Sequence, residues 1–309
     1  MSEILIDAAT LGAVGADPER RHKFQRLLTP KFIVGVAIVV LIVLFGIIGP
    51  LIVQNPTAVN DIGLTGPGGG HLLGTTQTGQ DVLAQLAYGT RGSLLVGLLV
   101  GFGVLVLSAF FGIVGPYVGG FLDEAFSLIS NVMLIIPGLP LMIVIGSYVQ
   151  HKSVFLVAFV LTFTGWAAGA RVLRSQTLSL RNRDYVLAVR VAGEKTWRVV
   201  CVEILPNLLP VMSSGFVFSI IFAILGEAGL SFIGIGSTGS LTWGTMLANA
   251  QNGQALLLGG WWWFVPPGLM IAVFGCGLAL INFSIDEVIN PRLRTSHVRK
   301  GKTAMSTPS

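Results

Sequence analysis

Long, unbroken apolar runs alternate with shorter polar stretches along this chain, and the runs are too long to be strands. Six of them stand out: roughly Phe32–Val53, Ser93–Val118, about Phe126–Val149, Val154–Ala170, Leu208–Ile235 and about Trp262–Ile285. The fifth is interrupted by Glu227, and the sixth opens on the aromatic cluster Trp261, Trp262, Trp263 and Phe264. Each reaches or approaches the roughly 20 residues that carry a helix across about 30 Å of hydrocarbon. Helix is the expected form, because backbone in lipid must satisfy its own hydrogen bonds. A barrel would need short alternating strands. The pattern therefore predicts an all-α integral membrane protein with about six transmembrane helices.

Composition agrees. Only 11% of the 309 residues are charged and 53% are hydrophobic, where a soluble domain carries about a quarter charged residues. No stretch between the runs is long enough for a sizeable water-soluble catalytic domain. The net charge of +5 does not form a nucleic-acid footprint, because the cations sit in short loops beside apolar runs, where they set topology. With both termini in the cytoplasm, the inside holds Arg20, Arg21, Lys23, Arg26 and Lys31, then Arg171, Arg174, Arg181, Arg183, Arg190, Lys195 and Arg198, then Arg292, Arg294, Arg299, Lys300 and Lys302. The outside keeps only Arg91 and Lys152. That asymmetry predicts a cytoplasmic N-terminus and C-terminus and puts the tryptophan cluster at the outer interface. The first run lies behind a polar leader and lacks a small-residue cleavage site, so it is expected to stay as an anchor.

The expected organisation is a cytoplasmic segment at 1–31, a first membrane helix and external loop at 32–90, a transmembrane core at 91–285, and a cytoplasmic tail at 286–309. Within the core, the inner loop 171–207 reads as two short helices about a glycine. Its segment Asp184–Gly193 begins with a good N-cap and ends with a good stop. On a helix, Tyr185, Ala188, Val189 and Ala192 share one face; Val186, Leu187 and Val191 lie on the other, with Arg190 among them. A short helix that is apolar nearly all round leaves a second face to cover once the first packs on its own bundle. Docking into a groove of a second protein and lying on lipid headgroups both answer that need.

The stretch from Arg181 to Pro206 resembles the EAA-type loop of ABC-importer permeases. That pattern is a short helix with Glu-Ala-Ala, a glycine four residues later, then Ile-Leu-Pro. Here it matches Leu187-Ala188-Val189, Gly193 and Ile204-Leu205-Pro206, with Leu187 standing where the family usually has glutamate and Val189 in place of the second alanine. His71-Leu-Leu-Gly-Thr75, Gly79-Gln80-Asp81-Val82 and Tyr88-Gly-Thr-Arg-Gly-Ser-Leu94 resemble the C-type (DppC/OppC-like) subunits of dipeptide and oligopeptide transporters. So do Gly226–Gly236, Trp243-Gly244, Met246-Leu247 and Asn290-Pro-Arg-Leu293. Thr76, Gln80 and the Asn282–Glu287 ending depart from the common peptide form, and oligosaccharide and nickel importers share the architecture.

The resemblance implies a permease subunit of an ATP-driven, binding-protein-dependent importer of the bacterial or archaeal plasma (inner) membrane. Its partners would be a homologous permease, as a heterodimer, two ATP-binding subunits and an extracytoplasmic substrate-binding protein. Asp184, Tyr185, Leu187, Ala188, Val189, Gly193, Ile204, Leu205 and Pro206 would form the ATPase-coupling site. No cofactor is expected on this chain, ATP and Mg belonging to the ATPase subunits. Gly301-Lys302-Thr303 lacks the first glycine of a phosphate-binding loop, which would fall at Ser296.

Glu227, with Gly229 and Ser231, reads as a gate or helix-end site near water at the outer end of its helix, or as a substrate contact. Pro137 and Pro140, and Pro266 and Pro267, read as static kinks or hinges. Asp123 and Glu124 read as solvated inner-loop charges. Ser127, Ser130, Asn131 and Thr164 either line a polar path or bond between helices. Catalytic and metal sites are not expected: Cys201 and Cys276 fall in a polar loop and an apolar run, and His22, His71, His151 and His297 have no ligand spacing. An ion-coupled secondary transporter, the main rival reading, would show internal repeats and buried charges beyond Glu227.

Overall fold

A computed structural model describes residues 29–59, 63–68, 70–148, 153–237 and 239–289. The expected cations of the N-terminal segment before Thr29, Lys152, His151 and the Asn290–Leu293 motif with the tail beyond it lie outside the described residues. Helices α1 (Pro30–Ile52), α2 (Val82–Ala109), α3 (Gly115–Val118), α4 (Gly120–Ile135), α5 (Gly138–Tyr148), α6 (Val154–Arg181), α7 (Asp184–Val191), α8 (Thr196–Arg198), α9 (Leu205–Phe232), α10 (Trp243–Asn252) and α11 (Trp261–Ile289) follow in order. π-helical turns at Phe110–Val114 and Val199–Ile204 join α2 to α3 and α8 to α9.

Local chemistry sets several of the helix starts. Thr29 accepts from the Phe32 amide with Pro30 in the first turn, Ser153 accepts from Leu156, and Thr242 forms a capping box with Thr245. Asp81 accepts from the Ala84 amide at 2.8 Å while its other oxygen meets His71 Nδ1 at 2.6 Å. That pair starts α2 eleven residues before the apolar run does, so residues 82–90, expected in the external loop, lie within a helix together with Arg91.

Five helices are long and apolar enough to cross a membrane among the described residues: Pro30–Ile52, Val82–Val118, Val154–Arg181, Thr196–Phe232 and Trp261–Glu287. The third apolar run is not one helix. Ile136 is extended (ψ 117°) and separates α4 from α5, because a residue before proline is pushed away from helical geometry. Pro137 therefore breaks the run instead of kinking it. Pro266 and Pro267 do lie inside α11.

α2 is the central post, packing most extensively on α6 and α9, while α1 lies against α11 and α2. Close approach to α6 is built in at Gly112, where a Cβ would stand 2.6 Å from the Ala170 carbonyl oxygen. α6 runs eleven residues beyond its apolar stretch, and its arginines grip the neighbouring helices. Arg174 makes a bidentate pair with Asp123 (2.8 and 2.9 Å), Arg171 donates to Asn131 Oδ1 at 2.8 Å, and Arg181 donates to the Pro116 carbonyl at 2.9 Å. Asp123 is thus an interhelical anchor and not a solvated loop charge. Ser130 and Thr164 bond back to their own helices, at Phe126 and Val160.

At the opposite end, α10 is pressed onto α2 and α9. Trp243 donates its amide to Ser93 Oγ and its indole Nε1 to Thr90 Oγ1. Of the tryptophan cluster, only Trp261 is exposed; Trp263 is buried, and Trp262 donates Nε1 to the Thr75 carbonyl at 3.1 Å, pinning the loop before α2.

Candidate functional site

The end of the bundle opposite α10 carries α7. Its N-cap is Arg183, not Asp184, which sits exposed in the first turn. Its end is a Schellman closure: the Gly193 amide donates to Arg190, the Glu194 amide to Val189, and Gly193 takes φ +83°. A side chain at Gly193 would strain this turn, which turns the chain directly into α8.

Val186 is fully buried, and Val189 packs beside it against Ile113, Tyr117, Leu173, Val199, Ile204 and Leu208. The packed stripe therefore takes one residue from each of the two faces expected from the sequence. Burial of these two side chains against so large a platform contributes about 1.5–3 kcal/mol for each that is fully covered. Arg190 adds its guanidinium 5.8 Å from the centre of the Tyr117 ring. Asn207 donates to the Tyr185 hydroxyl at 3.3 Å and to the Glu203 carbonyl at 2.6 Å, tying α7 to the foot of α9.

What this leaves outward is apolar. Leu187 is 43% exposed and Val191 89%, with Tyr185, Ala188 and Ala192 exposed beside them. Trp197, at 64%, and Val202 extend the same apolar surface past the turn. A shallow cavity of about 230 Å³ runs between Val189 and Ala192 on one side and Arg198, Val202 and Glu203 on the other; Glu194 and Arg198 pair along its edge. Ile204 and Leu205 do not reach the surface: Ile204 is fully buried and Leu205 packs on the same cluster, so both support α7 from beneath. Pro206 is exposed at the start of α9. Trp197 and Val202 escaped the sequence reading, although an indole between Lys195 and Arg198 is a signal of an interface.

Glu227 lies at the other end and is only 1% exposed. Its Oε1 accepts from Ser231 Oγ and Thr242 Oγ1, both at 2.7 Å, and Oε2 faces Gly244, where a Cβ would come within 2.8 Å. The carboxylate is thus sealed under α10 and not at a wet helix end. Ser231 is buried with it; Gly229 is exposed, and a Cβ built there meets nothing within 4 Å.

α7 is thus a short helix with an uncovered apolar face, seated on a bundle of apolar helices. The sequence profile described as "Binding-protein-dependent transport system inner membrane component" matches residues 107–295, which include α3–α11. The chain belongs to this family. It is a multi-pass membrane permease component and not an enzyme; in such transporters the ATPase is a separate subunit. The oligopeptide transport system permease protein OppC of Bacillus subtilis is 30% identical over 264 residues, covering 84% of this chain and 85% of its own length. The dipeptide transport system permease protein DppC of the same species is 29% identical, covering 90% and 86%. DppC of Alkalihalophilus pseudofirmus is 28% identical, covering 89% and 90%. The π-turn before Pro206 and the α7 foot both fall within the part of this permease that the family profile spans.

Proposed function

We propose that the chain is one of two permease subunits of an ATP-driven, binding-protein-dependent importer of di- and oligopeptides in the bacterial or archaeal plasma membrane. The observation that carries this reading is α7: a short helix whose buried stripe fixes it to the bundle while Leu187, Val191 and Trp197 remain uncovered. Such a surface is suited to seating in a cleft of an ATP-hydrolysing subunit, helix into groove. In this reading α7 is cytoplasmic, both termini share its side, and α10 lies outside with residues 54–81. Six crossings result if α4 and α5 together make one. The pair of permeases, a heterodimer, rests on two ATPase subunits that hold ATP and Mg, and this chain binds no cofactor itself. A binding protein delivers substrate at the α10 end. Peptide as cargo draws its support from the relatives above, which are oligopeptide and dipeptide transport permeases.

Reconstitution tests the whole. Liposomes holding this chain, its partner permease and the ATPase subunits should accumulate labelled peptide only with ATP and the cognate binding protein. Uptake by this chain alone, driven by an ion gradient, would overturn the importer reading, and ATP-driven uptake of a saccharide or nickel instead would overturn peptide.

A further inference from the structure

Along part of their length, α2, α6 and α9 do not close on one another. They leave a cavity of about 330 Å³, inside the range of small-molecule sites, about 300–1,000 Å³. Its walls are mostly apolar, with Val104, Leu173, Met212 and Phe218 among them, and Ser214 and Asp286 also line it. The other hydroxyls that line it are already used: Ser108 donates to the Trp166 carbonyl at 2.7 Å and Ser219 to the Gly215 carbonyl at 2.8 Å.

Asp286 is different. Among the described residues its one donor is Ser214 Oγ at 3.2 Å, and the same hydroxyl lies closer to Asn282 Oδ1, at 2.7 Å. A hydroxyl has a single hydrogen to give, so the two acceptors compete for it. No cation pairs with Asp286 among the described residues, whereas its neighbour Glu287 is held by Lys31 at 2.8 Å. A carboxylate beside an apolar recess favours a cation within it.

We propose that this cavity receives the ammonium end of a short peptide, with Asp286 as the counter-charge and Met212 and Phe218 against the apolar part of the ligand. The proposal rests on the peptide reading above for the identity of the cation. A stretch of only a few residues fills the volume, so the site holds one end of the cargo and not its whole length. An N-blocked or anionic ligand has no matching group for Asp286 and is disfavoured.

Gly215 offers the probe position, since a Cβ built there meets nothing within 4 Å. The experiment uses the full chain with Cys201→Ser, Cys276→Ser and Gly215→Cys, assembled with its partner subunits in nanodiscs so that both faces are wet. The cysteine is labelled with a cationic aminoethyl or an anionic sulfonatoethyl methanethiosulfonate. We expect the cationic-to-anionic rate ratio to fall about tenfold on Asp286→Asn, the scale of one nearby unit charge at intermediate dielectric. Millimolar Ala-Phe should slow labelling, and N-acetyl-Ala-Phe should not. A ratio unmoved by Asp286→Asn, equal protection by both peptides, or protection by neither overturns the proposal. So does a cysteine inert to both reagents, which would mean that a partner subunit fills the space. Charge-dependent labelling and selective protection without ATP-driven uptake would instead sink the importer reading and leave the site standing.

Discussion

Arg91 completes the hydrogen bonding that Pro50 leaves open. Proline has no amide hydrogen, so the Gly46 carbonyl one turn earlier in α1 has no donor in its own ladder. Arg91 Nε fills that position from α2 at 2.7 Å, and its Nη2 donates to the Ile47 carbonyl at 2.8 Å. In surroundings without water an orphaned carbonyl is costly, and here a charged side chain serves as the missing amide. Arg91→Leu should therefore destabilise the chain by about 1–3 kcal/mol. The same substitution in a Pro50→Ala background should cost clearly less, because an alanine amide restores the donor. Thermal unfolding of the four variants in detergent gives the cycle; equal costs in both backgrounds would refute the relationship.

Leu187 and Val186 are adjacent and should behave oppositely. Val186→Asp buries a charge in the cluster under α7 and should lower thermal stability by about 3 kcal/mol or more, the range for an uncompensated buried charge. Leu187→Asp, on a side chain 43% exposed, should leave the midpoint within about 0.5 kcal/mol. Its loss should fall on ATPase assembly, with peptide uptake reduced at least tenfold. Full uptake by Leu187→Asp would remove α7 from the docking role.

The Arg174–Asp123 pair fixes α4 to the extension of α6 that leads into α7. Both partners are partly exposed, so Asp123→Asn should cost only about 1 kcal/mol in stability. A larger effect is expected on coupling, read as ATP hydrolysed per peptide taken up, since α6 would then slide against α4. The exchanged pair Asp123→Arg with Arg174→Asp should recover part of that ratio; if the ratio stays at the wild-type value in Asp123→Asn, the pair is only structural.

Glu227 holds α10 by way of Thr242. Glu227→Gln keeps a carbonyl acceptor in place and should leave α10 seated. Glu227→Leu orphans the Ser231 and Thr242 hydroxyls, at about 1–3 kcal/mol for each left buried. Hydrogen exchange should speed up across Trp243–Asn252 in the leucine variant and hardly at all in the glutamine variant. Equal exchange in both would argue against the contact.

Hydropathy alone located the long helices, because lipid imposes length and apolarity on any spanning segment. It misjudged their ends for a physical reason: α2 and α6 continue as helix beyond their apolar runs, carrying Arg91 and Arg174 on ordered faces. The break at Ile136 lay hidden inside an unbroken apolar run, although Pro137 carried its cause. α7 and its closing glycine were legible from local chemistry. Which valine faced inward was not, because Val186 is chosen by a platform assembled from α3, α6 and the foot of α9. The Arg91–Pro50 and Glu227–Thr242 relationships join residues far apart in sequence or across a turn, and no local pattern announces them.

From Thr196 to Phe232 the helix is continuous for 37 residues, about 55 Å at 1.5 Å per residue. Asn207, about a third of the way along, donates to Tyr185 of α7, and Glu227, near the far end, accepts from Thr242 at the N-cap of α10. The two faces of the bundle thus share one tiller. A displacement of α7 is therefore expected to be felt at α10 through this one shared helix.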